Sequence, residues 1–319
     1  MVRTISKPEL TTLRKMENMN MNKLGIFMNF WEKNWAADHK KYIKKAAEIG
    51  FDILEFQAQP LLEMTDEHIR DLKKTADEYG IELTYSLGLD RRYDVSSLDE
   101  NIRKGGVTYL QNIIRKMHVG GGTLLSGVSY AGWGTPDNMG DSKMPYWNQS
   151  VKSMKEIIKV AEECGVTYCV EAVNRFETCL INTAKEALAY IEEIDSKNIG
   201  VLLDTYHMNI EEDSLGDAIR LVGADRLKSF HTGDNNRRAP GRGHIDWDEV
   251  FGALAEIGYT GRIVSEPFVM QGGEVGRDIH VYRDLIENPC EEAIDAEAKY
   301  LLEFEKSMLR KYSSIANNA

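Results

Sequence analysis

Cysteine is scarce in this chain of 319 residues, which contains only Cys164, Cys169, Cys179 and Cys290. Their spacings match no zinc-binding pattern, and four cysteines are too few for a disulfide framework in a chain of this length. Free thiols in a reducing compartment are the default for such a sequence. We therefore expect a cytoplasmic protein.

Long apolar runs are also absent, since no stretch of 18 apolar residues occurs and the first 20 residues contain no continuous apolar segment. We therefore expect neither a membrane span nor a secretory signal. Basic residues are in the minority, with 39 Lys and Arg against 51 Asp and Glu and a net charge of −12. A nucleic-acid partner needs a basic surface, so this balance disfavours one. It is compatible with a metal ion held by carboxylates.

One phrase recurs along the chain and consists of an alanine-rich helix end, a glycine and a short apolar strand. It reads AAEIGFDILEF at 46–56, ADEYGIELTYS at 76–86, AEECGVTYCVEAV at 161–173 and AEIGYTGRIVSEPF at 255–268. The glycine is expected to end each helix in a left-handed conformation. Such a repeat predicts successive βα units.

We count eight βα units, with strands predicted at 23–30, 53–57, 82–88, 123–130, 167–173, 200–207, 227–233 and 262–268. The strands are nearly continuous apolar runs, which is typical of parallel strands covered on both faces. Eight such units predict an α/β protein with a single-domain (β/α)8 TIM barrel. An open doubly wound sheet is the alternative. The absence of G-x-G-x-x-G after the first strand disfavours it.

The barrel is predicted to span residues 21–311. Residues 1–20 are interpreted as an N-terminal extension, either a short docking helix or a disordered arm. Residues 312–319 are interpreted as a polar C-terminal tail. No linker or low-complexity segment indicates a second domain.

Four successive predicted strands end in side chains that bind metal ions in proteins, and these are Glu171, Asp204, His231 and Glu266. Active sites of such barrels lie at the carboxyl ends of the strands, so these side chains can converge. Three carboxylates around one point repel each other unless a cation lies between them. Hard oxygen ligands with one nitrogen suit Mn²⁺, Mg²⁺ or Co²⁺, with Zn²⁺ as an alternative.

Each of these residues also has a plain structural interpretation. A carboxylate at a strand end often caps a helix or forms an ion pair, and a lone His is more often a core residue than a ligand. The occurrence of all four in consecutive register favours the metal site. Glu55, at the end of strand two, has no neighbours of this kind, and a purely structural role suffices for it.

Aromatic side chains near other strand ends are candidates for the wall of a pocket. Trp133 lies in a glycine-flanked loop that we expect to be flexible, where it has no obvious core role. We therefore expect Trp133 to stack against a ligand. Phe27 and Phe268 also follow strands, although Phe27 alone would usually be a core residue.

Several longer runs resemble the ketose 3-epimerases, the family that includes D-tagatose 3-epimerase and D-psicose (D-allulose) 3-epimerase. The most specific is DTYHMNIEEDS at 204–214. The others are VNRFE at 173–177, NT at 182–183, HTG at 231–233, NR at 236–237 and EPFVMQGG at 266–273. The resemblance extends from about residue 21 to beyond residue 300.

The resemblance implies a role for each matching residue. One divalent ion per chain, expected to be Mn²⁺ or Co²⁺ with Mg²⁺ or Zn²⁺ as alternatives, would be held by Glu171, Asp204, His231 and Glu266. Glu171 and Glu266 would also be the catalytic acid/base pair. The hydroxyls and carbonyl around C1 to C3 of a ketose would be bound by Glu177, His207 and Arg237. The rest of the sugar would contact Phe27, Trp133 and Phe268.

The implied reaction is epimerisation at C3 of a free ketose, of the D-fructose/D-psicose or D-tagatose/D-sorbose type. A proton next to the carbonyl is removed to give a metal-stabilised enediolate, and a proton is then delivered to the opposite face. The protein would be an isomerase of carbohydrate metabolism with a small ketose as its partner. We expect a homodimer or homotetramer.

The match to the family is incomplete, and two other functions remain open. Strand four reads LSGV at 125–128 and strand three ends in SLGL at 86–89, where the family usually has Gly-Gly-Ala and Gly-x-Gly. Asp234 replaces a usual Glu. These differences concern the pocket wall, so they bear on the preferred sugar. The alternatives are the catalytic subunit of a two-component C-glycoside-cleaving enzyme and a catalytically silent sugar-binding barrel.

Overall fold

Eight parallel strands, hydrogen-bonded in chain order, close into a barrel. The computed structural model of the protein describes residues 22–136 and 139–316. The strands are β1 Lys23–Phe27, β2 Ile53–Gln57, β3 Glu82–Ser86, β4 Leu124–Ser126, β5 Thr167–Ala172, β6 Ile199–Asp204, β7 Leu227–Thr232 and β8 Arg262–Ser265. The predicted (β/α)8 barrel is confirmed. Residues 1–20, interpreted above as an extension, lie outside the described residues.

Helices surround this barrel and connect its strands. They are α1 His39–Ile49, α2 Asp66–Tyr79, α3 Glu100–Val119, α4 Met144–Cys164, α5 Ala184–Ile194, α6 Thr205–Glu211, α7 Leu215–Arg226, α8 Trp247–Glu256, α9 Gly273–Asp278 and α10 Glu291–Ala316. The short helices α6 and α9 were not predicted. No helix within the described residues is long and apolar enough to cross a membrane.

The predicted glycine stops are present where helices give way to strands. Gly50, Gly80, Gly165 and Gly258 all adopt positive φ angles, of 120°, 67°, 67° and 67°. Several strands end earlier than predicted. The strand β4 ends at Ser126 because Gly127 turns the chain with a φ of 98°. A side chain at Gly127 would approach the Leu87 carbonyl oxygen to 2.6 Å, so only glycine fits this turn.

The last helix, α10, continues beyond the boundary that the sequence analysis placed at residue 311. Tyr312 lies in this helix and its hydroxyl donates a hydrogen bond of 2.9 Å to Oδ1 of Asp248 in α8. This contact ties the end of α10 to its neighbour. The segment described as a polar tail is therefore helical as far as Ala316.

A buried carboxyl group joins α10 to the outer face of the barrel. Glu305 accepts hydrogen bonds from Thr232 Oγ1 of β7 at 2.5 Å and from Ser265 Oγ of β8 at 2.7 Å. Burial raises the pKa of Glu305 to about 7, although the two hydroxyls act in the opposite direction. Because Thr232 follows His231 and Ser265 precedes Glu266, this contact holds the two strand ends that carry these side chains.

We expect Glu305→Gln to change how the stability of the protein depends on pH. The raised pKa means that the folded protein keeps a proton that the unfolded chain releases, so the free energy of unfolding falls as pH rises from 4.5 to about 7. Gln does not titrate. The difference in free energy of unfolding, variant minus wild type, should therefore increase by roughly 2 kcal/mol from pH 5 to pH 8, which is a gain for the variant.

Urea unfolding of both proteins in chelator, at the two pH values, measures this gain. Glu303→Gln is the matched control, because Glu303 lies on the same helix with 63% of its side chain exposed. The control should show no gain. A pH dependence of Glu305→Gln identical to that of wild type would contradict the assigned burial effect.

Candidate metal centre and active site

The four predicted metal ligands converge at the carboxyl end of the barrel. One ligand atom from each lies within 4.8 Å of those of the others, and all four side chains are buried: Glu171, Asp204, His231 and Glu266. They come from β5, β6, β7 and the residue that follows β8. Asp204 and His231 are direct partners in the β6–β7 pairing, so the parallel register itself brings these two side chains together.

The unpartnered atoms and the raised pKa values in this group of side chains fit a cation between them. Oε1 of Glu171 and Nδ1 of His231 are buried without a hydrogen-bond partner. Burial, followed by the charge of Glu266, raises the pKa of Glu171 well above its usual value and that of Asp204 to about 6. A divalent ion would remove this repulsion between carboxylates. The group can therefore hold a metal ion, and its oxygen ligands suit a hard divalent one.

The carboxyl groups of Glu171 and Glu266 differ in their electrostatic surroundings. The pKa of Glu171 is raised, as described above. The pKa of Glu266 is lowered, because His231 and Arg237 together outweigh the opposing effect of burial. Two neighbouring carboxyls whose pKa values are displaced in opposite directions can serve as an acid and a base.

His207 of α6 lies between Glu171 and Glu177. Its Nδ1 faces the backbone N–H of Asn174 at 3.3 Å, and its Nε2 is 3.7 Å from Oε1 of Glu171. A backbone N–H can only donate, so Nδ1 is an acceptor and the neutral ring carries its proton on Nε2. Burial, and then the charge of Arg237, lowers the pKa of His207 well below its usual value. The ring is therefore a neutral donor directed toward Glu171.

Arg237 is a buried cation between the metal-binding group and the aromatic side chains. Its guanidinium nitrogens lie 3.5 Å from Oε1 of Glu177 and 3.6 Å from Oε2 of Glu266. Its Cζ atom is 4.2 Å from the ring centre of Tyr206 and 4.9 Å from that of Phe268. These cation–π contacts fix the plane of the guanidinium. The backbone of Arg237 has a φ of 63°, an uncommon conformation for a residue other than glycine.

Asp234 organises the loop that carries Arg237, a role that the sequence analysis did not predict. Its buried carboxylate accepts hydrogen bonds from Gly241 N at 2.9 Å, from Ile245 N at 3.2 Å and from Trp247 Nε1 at 3.2 Å. The carbonyl oxygen of Asp234 also accepts from Arg237 N at 2.9 Å. One carboxylate therefore holds the whole loop between β7 and α8.

Aromatic side chains, including the predicted Phe27, Trp133 and Phe268, line one part of the cavity. The rings of Phe27 and Phe268 meet edge to face with centroids 5.8 Å apart. Trp35, which the sequence analysis missed, packs on Phe268 at 6.4 Å and donates from Nε1 to Asp278 at 2.7 Å. Its position in a loop after β1 was the only signal that could have suggested this role.

Trp133 is anchored, whereas the sequence analysis expected its loop to be flexible. Its backbone N–H bonds to the carbonyl of Leu89 at 2.8 Å, and that of Gly134 bonds to the carbonyl of Glu177, also at 2.8 Å. A side chain at Gly88 would meet the Trp133 ring at 2.9 Å. Gly88, two residues after β3, therefore makes room for this ring.

These side chains border a cavity of about 1060 Å³ at the mouth of the barrel. Its lining includes seven of the eight residues predicted to act on a substrate, namely Phe27, Trp133, Glu171, His207, Arg237, Glu266 and Phe268. Glu177 contacts this group through Arg237. The structure therefore brings together the residues that the sequence analysis singled out from six different βα units.

The expectation that Glu55 has no metal-binding side chain as a neighbour is wrong. This residue of β2 is fully buried, and its Oε1 lies 3.0 Å from Nε2 of His231. The two residues lie on strands that are far apart in the sequence. A linear reading of strand ends cannot show a contact across the interior of a barrel.

Known proteins that resemble this chain identify the protein family to which it belongs. The family model described as "Xylose isomerase-like TIM barrel" matches residues 43–302. The D-psicose 3-epimerase of Ruminiclostridium cellulolyticum is 44% identical over 287 residues, which cover 90% of this chain and 98% of that protein. The ketose 3-epimerase of Arthrobacter globiformis is 33% identical over 82% of this chain and 90% of that protein.

Solved structures agree with these relatives. The crystal structure of D-psicose 3-epimerase with D-tagatose from Clostridium cellulolyticum H10 has a TM-score of 0.87 and 44% identity, covering 90% of this chain and 99% of that one. The chain therefore belongs to the ketose 3-epimerases, within the xylose isomerase-like TIM barrels. It is an enzyme of the isomerase class, a carbohydrate 3-epimerase.

We expect Asp204→Asn to weaken metal binding and to leave helix α6 folded. Oδ1 of Asp204 accepts a hydrogen bond of 2.7 Å from Tyr206 N and so caps this helix. Asn caps helices as well as Asp does, but it lacks the negative charge that holds a cation. The dissociation constant for Mn²⁺, measured by calorimetry, should rise at least ~10-fold.

Asp213→Asn is the control for this measurement, because Asp213 is exposed and lies just beyond the same helix. It should bind Mn²⁺ as wild type does. Unchanged Mn²⁺ affinity in folded Asp204→Asn would remove Asp204 from the set of ligands.

Proposed function

We propose that this protein epimerises free ketoses at C3 and needs one divalent metal ion, Mn²⁺ or Co²⁺, held by Glu171, Asp204, His231 and Glu266. The observation that carries the proposal is the convergence of these ligands within 4.8 Å beside a cavity that Glu171 and Glu266 both line. The similarity to D-psicose 3-epimerases over about 90% of the chain supports the reaction type.

Glu171 and Glu266 would move the proton. They come from β5 and from the end of β8, so they reach the cavity from separate parts of the barrel wall. Inversion at C3 needs removal of a proton from one face of the sugar and delivery to the other. A bound divalent ion supplies Lewis-acid stabilisation of the negative charge that develops on O2. Which carboxylate acts as the base depends on the epimer that is bound.

Three further side chains would hold the reacting end of the sugar. His207 offers Nε2–H beside Glu171, where a carbonyl or hydroxyl oxygen can accept it. Oε2 of Glu177 and Nε of Arg237 are buried without a partner, so each is free for a sugar hydroxyl. An acceptor and two donors of this kind suit the hydroxyls around C1 to C3.

Phe27, Trp133 and Phe268 would contact the remaining face of the ketose, and Trp35, which packs on Phe268, also lines the cavity. Aromatic rings pack against the apolar C–H face of a sugar and leave its hydroxyls to polar groups. Such a wall makes few directional contacts. It therefore permits ketoses that differ beyond C3.

Unphosphorylated ketoses are the proposed substrates, because the cation nearest the metal-binding group, Arg237, is already flanked by Glu177 and Glu266. The wider cavity lining also includes Arg91, Arg92 and Arg277, which the sequence analysis did not consider. Arg92 is paired with Asp90 at 2.6 Å. A direct comparison of free and phosphorylated sugars is therefore part of the test.

We expect the Mn²⁺-loaded protein to interconvert D-fructose and D-psicose, or D-tagatose and D-sorbose, with chromatography resolving the products. Chelation should abolish the activity, and Mn²⁺ or Co²⁺ should restore it, since the developing charge on O2 needs a cation. The corresponding ketose phosphates serve as the comparison and should react more slowly. Full activity without metal, a preference for a phosphate, or a change at C4 would each contradict the proposal.

We expect Glu171→Gln and Glu266→Gln, each loaded with metal, to lose roughly 10² or more in epimerisation rate. Gln can keep an oxygen on the ion but cannot carry a proton, and this loss is the usual scale for general acid–base groups. In heavy water, the wild-type product should carry deuterium at C3. Metal content is measured in each variant, because both residues also bind the ion.

Glu163→Gln is the control, since Glu163 is exposed in α4 and is not one of the residues that line the cavity. It should react at the wild-type rate. A metal-loaded variant of Glu171 or Glu266 that epimerises at a near wild-type rate would show that this residue is not in the acid/base pair.

The two alternatives give different results in the same experiments. Copurification of an unrelated small subunit, with no activity on free ketoses, would favour a C-glycoside-cleaving enzyme. Tight ketose binding without turnover would favour a silent sugar-binding barrel. A cytoplasmic location and a homodimeric or homotetrameric state stay predictions.

A further inference from the structure

A second buried carboxylate contacts the only histidine among the proposed metal ligands. Oε1 of Glu55 lies 3.0 Å from Nε2 of His231, and both side chains have no exposed surface. Neither atom has a hydrogen-bond partner within the described residues. At 3.0 Å, each is the polar neighbour available to the other.

Glu55 and His231 each have a second neighbour, on the side that faces away from their mutual contact. Oε2 of Glu55 accepts a hydrogen bond of 2.8 Å from Oγ1 of Thr84 on the adjacent strand β3. Nδ1 of His231 faces the metal-binding group, 3.7 Å from Oε2 of Glu266. The chain of contacts thus runs from Thr84 through Glu55 and the imidazole ring to the metal-binding group.

Glu55 has no direct access to a substrate. The cavity lining, taken over the described residues, includes Glu171 and Glu266 but not Glu55. It is also not one of the four residues whose ligand atoms meet within 4.8 Å. Its direct contact with the site is therefore with the His231 ring.

The chemistry of imidazole gives this contact a consequence. A neutral ring carries one proton, and the nitrogen without it supplies the lone pair for a metal. A carboxylate at Nε2 favours the form with the proton on Nε2, which leaves the lone pair on Nδ1. Carboxylates in this position orient metal-binding histidines and increase their basicity.

We propose that Glu55 is a positioning residue that holds the proton of His231 on Nε2 and so directs the Nδ1 lone pair to the metal ion. The proposal rests on the metal site described under the proposed function. It needs no particular sugar as substrate. Thr84 in turn holds Glu55 in the orientation that reaches the ring.

The test measures Mn²⁺ binding by calorimetry without any sugar, at pH 8 and well below the unfolding temperature of each protein. Glu55→Gln keeps the shape of the side chain but removes its charge. We expect its Mn²⁺ dissociation constant to rise about 10- to 100-fold, the usual cost of losing such a partner. Thr84→Val, which leaves the carboxylate in place, should give a smaller rise in the same direction and provides a second variant if Glu55→Gln does not fold.

Glu305→Gln is the matched control. It also removes a buried carboxylate, which is ionised at pH 8 because its pKa lies near 7, but Glu305 contacts the outer face of the barrel and not His231. Gln keeps an oxygen that can accept from Thr232 and Ser265, so the strand ends stay attached, and the Mn²⁺ affinity of this variant should equal that of wild type. An equal loss in both variants would mean that the effect is a general loss of negative charge, and the proposal would be wrong.

A spectroscopic measurement separates positioning from a purely structural role. In the Mg²⁺- or Zn²⁺-loaded wild type, nitrogen chemical shifts of His231 should show a protonated Nε2 and a metal-bound Nδ1. Wild-type Mn²⁺ affinity in folded Glu55→Gln, or a protonated Nδ1 in the loaded wild type, would overturn the proposal. Because no sugar is present, either result leaves the question of ketose epimerisation to the activity experiments.

Discussion

The structure depends on the placement of like charges at one end of a closed barrel. Glu171, Asp204 and Glu266 are buried together with His231, with ligand atoms within 4.8 Å of one another. Such a group is unfavourable in a folded protein unless a cation or a set of rigid partners offsets the repulsion. Parallel strands joined in chain order place these side chains at the same level of the barrel. The topology of the barrel therefore forces the like charges together.

The strands that carry these ligands are fixed on both faces. Successive residues of a strand point to opposite sides. On β7, His231 points inward to Glu55, while the next residue, Thr232, points outward to Glu305 of the last helix. Each face has its own buried carboxyl group and its own hydroxyl partners. Polar contacts on both faces therefore flank the strand that carries His231.

The positive charge of Arg237, beside the metal-binding group, is balanced by neighbouring carboxylates. Arg237 lies between Glu177 and Glu266 and is stacked on Tyr206 and Phe268. The uncommon backbone conformation of Arg237 is maintained by the loop that Asp234 holds together. The proposed binding surface for a sugar therefore consists of side chains that already have fixed partners, which would reduce the entropy lost on binding.

The sequence by itself determined the eight βα units, the glycine stops and the four candidate metal ligands, because these depend on local patterns and on the end of each strand. Strand-end positions also indicated the aromatic wall, whereas His207 and Arg237 came from the resemblance to a known family. Tertiary structure alone decided the contacts of Glu55 with His231, of Glu305 with Thr232 and of Trp35 with Phe268. These contacts join strands and helices that are distant in the sequence, and their geometry exists only after the barrel has closed.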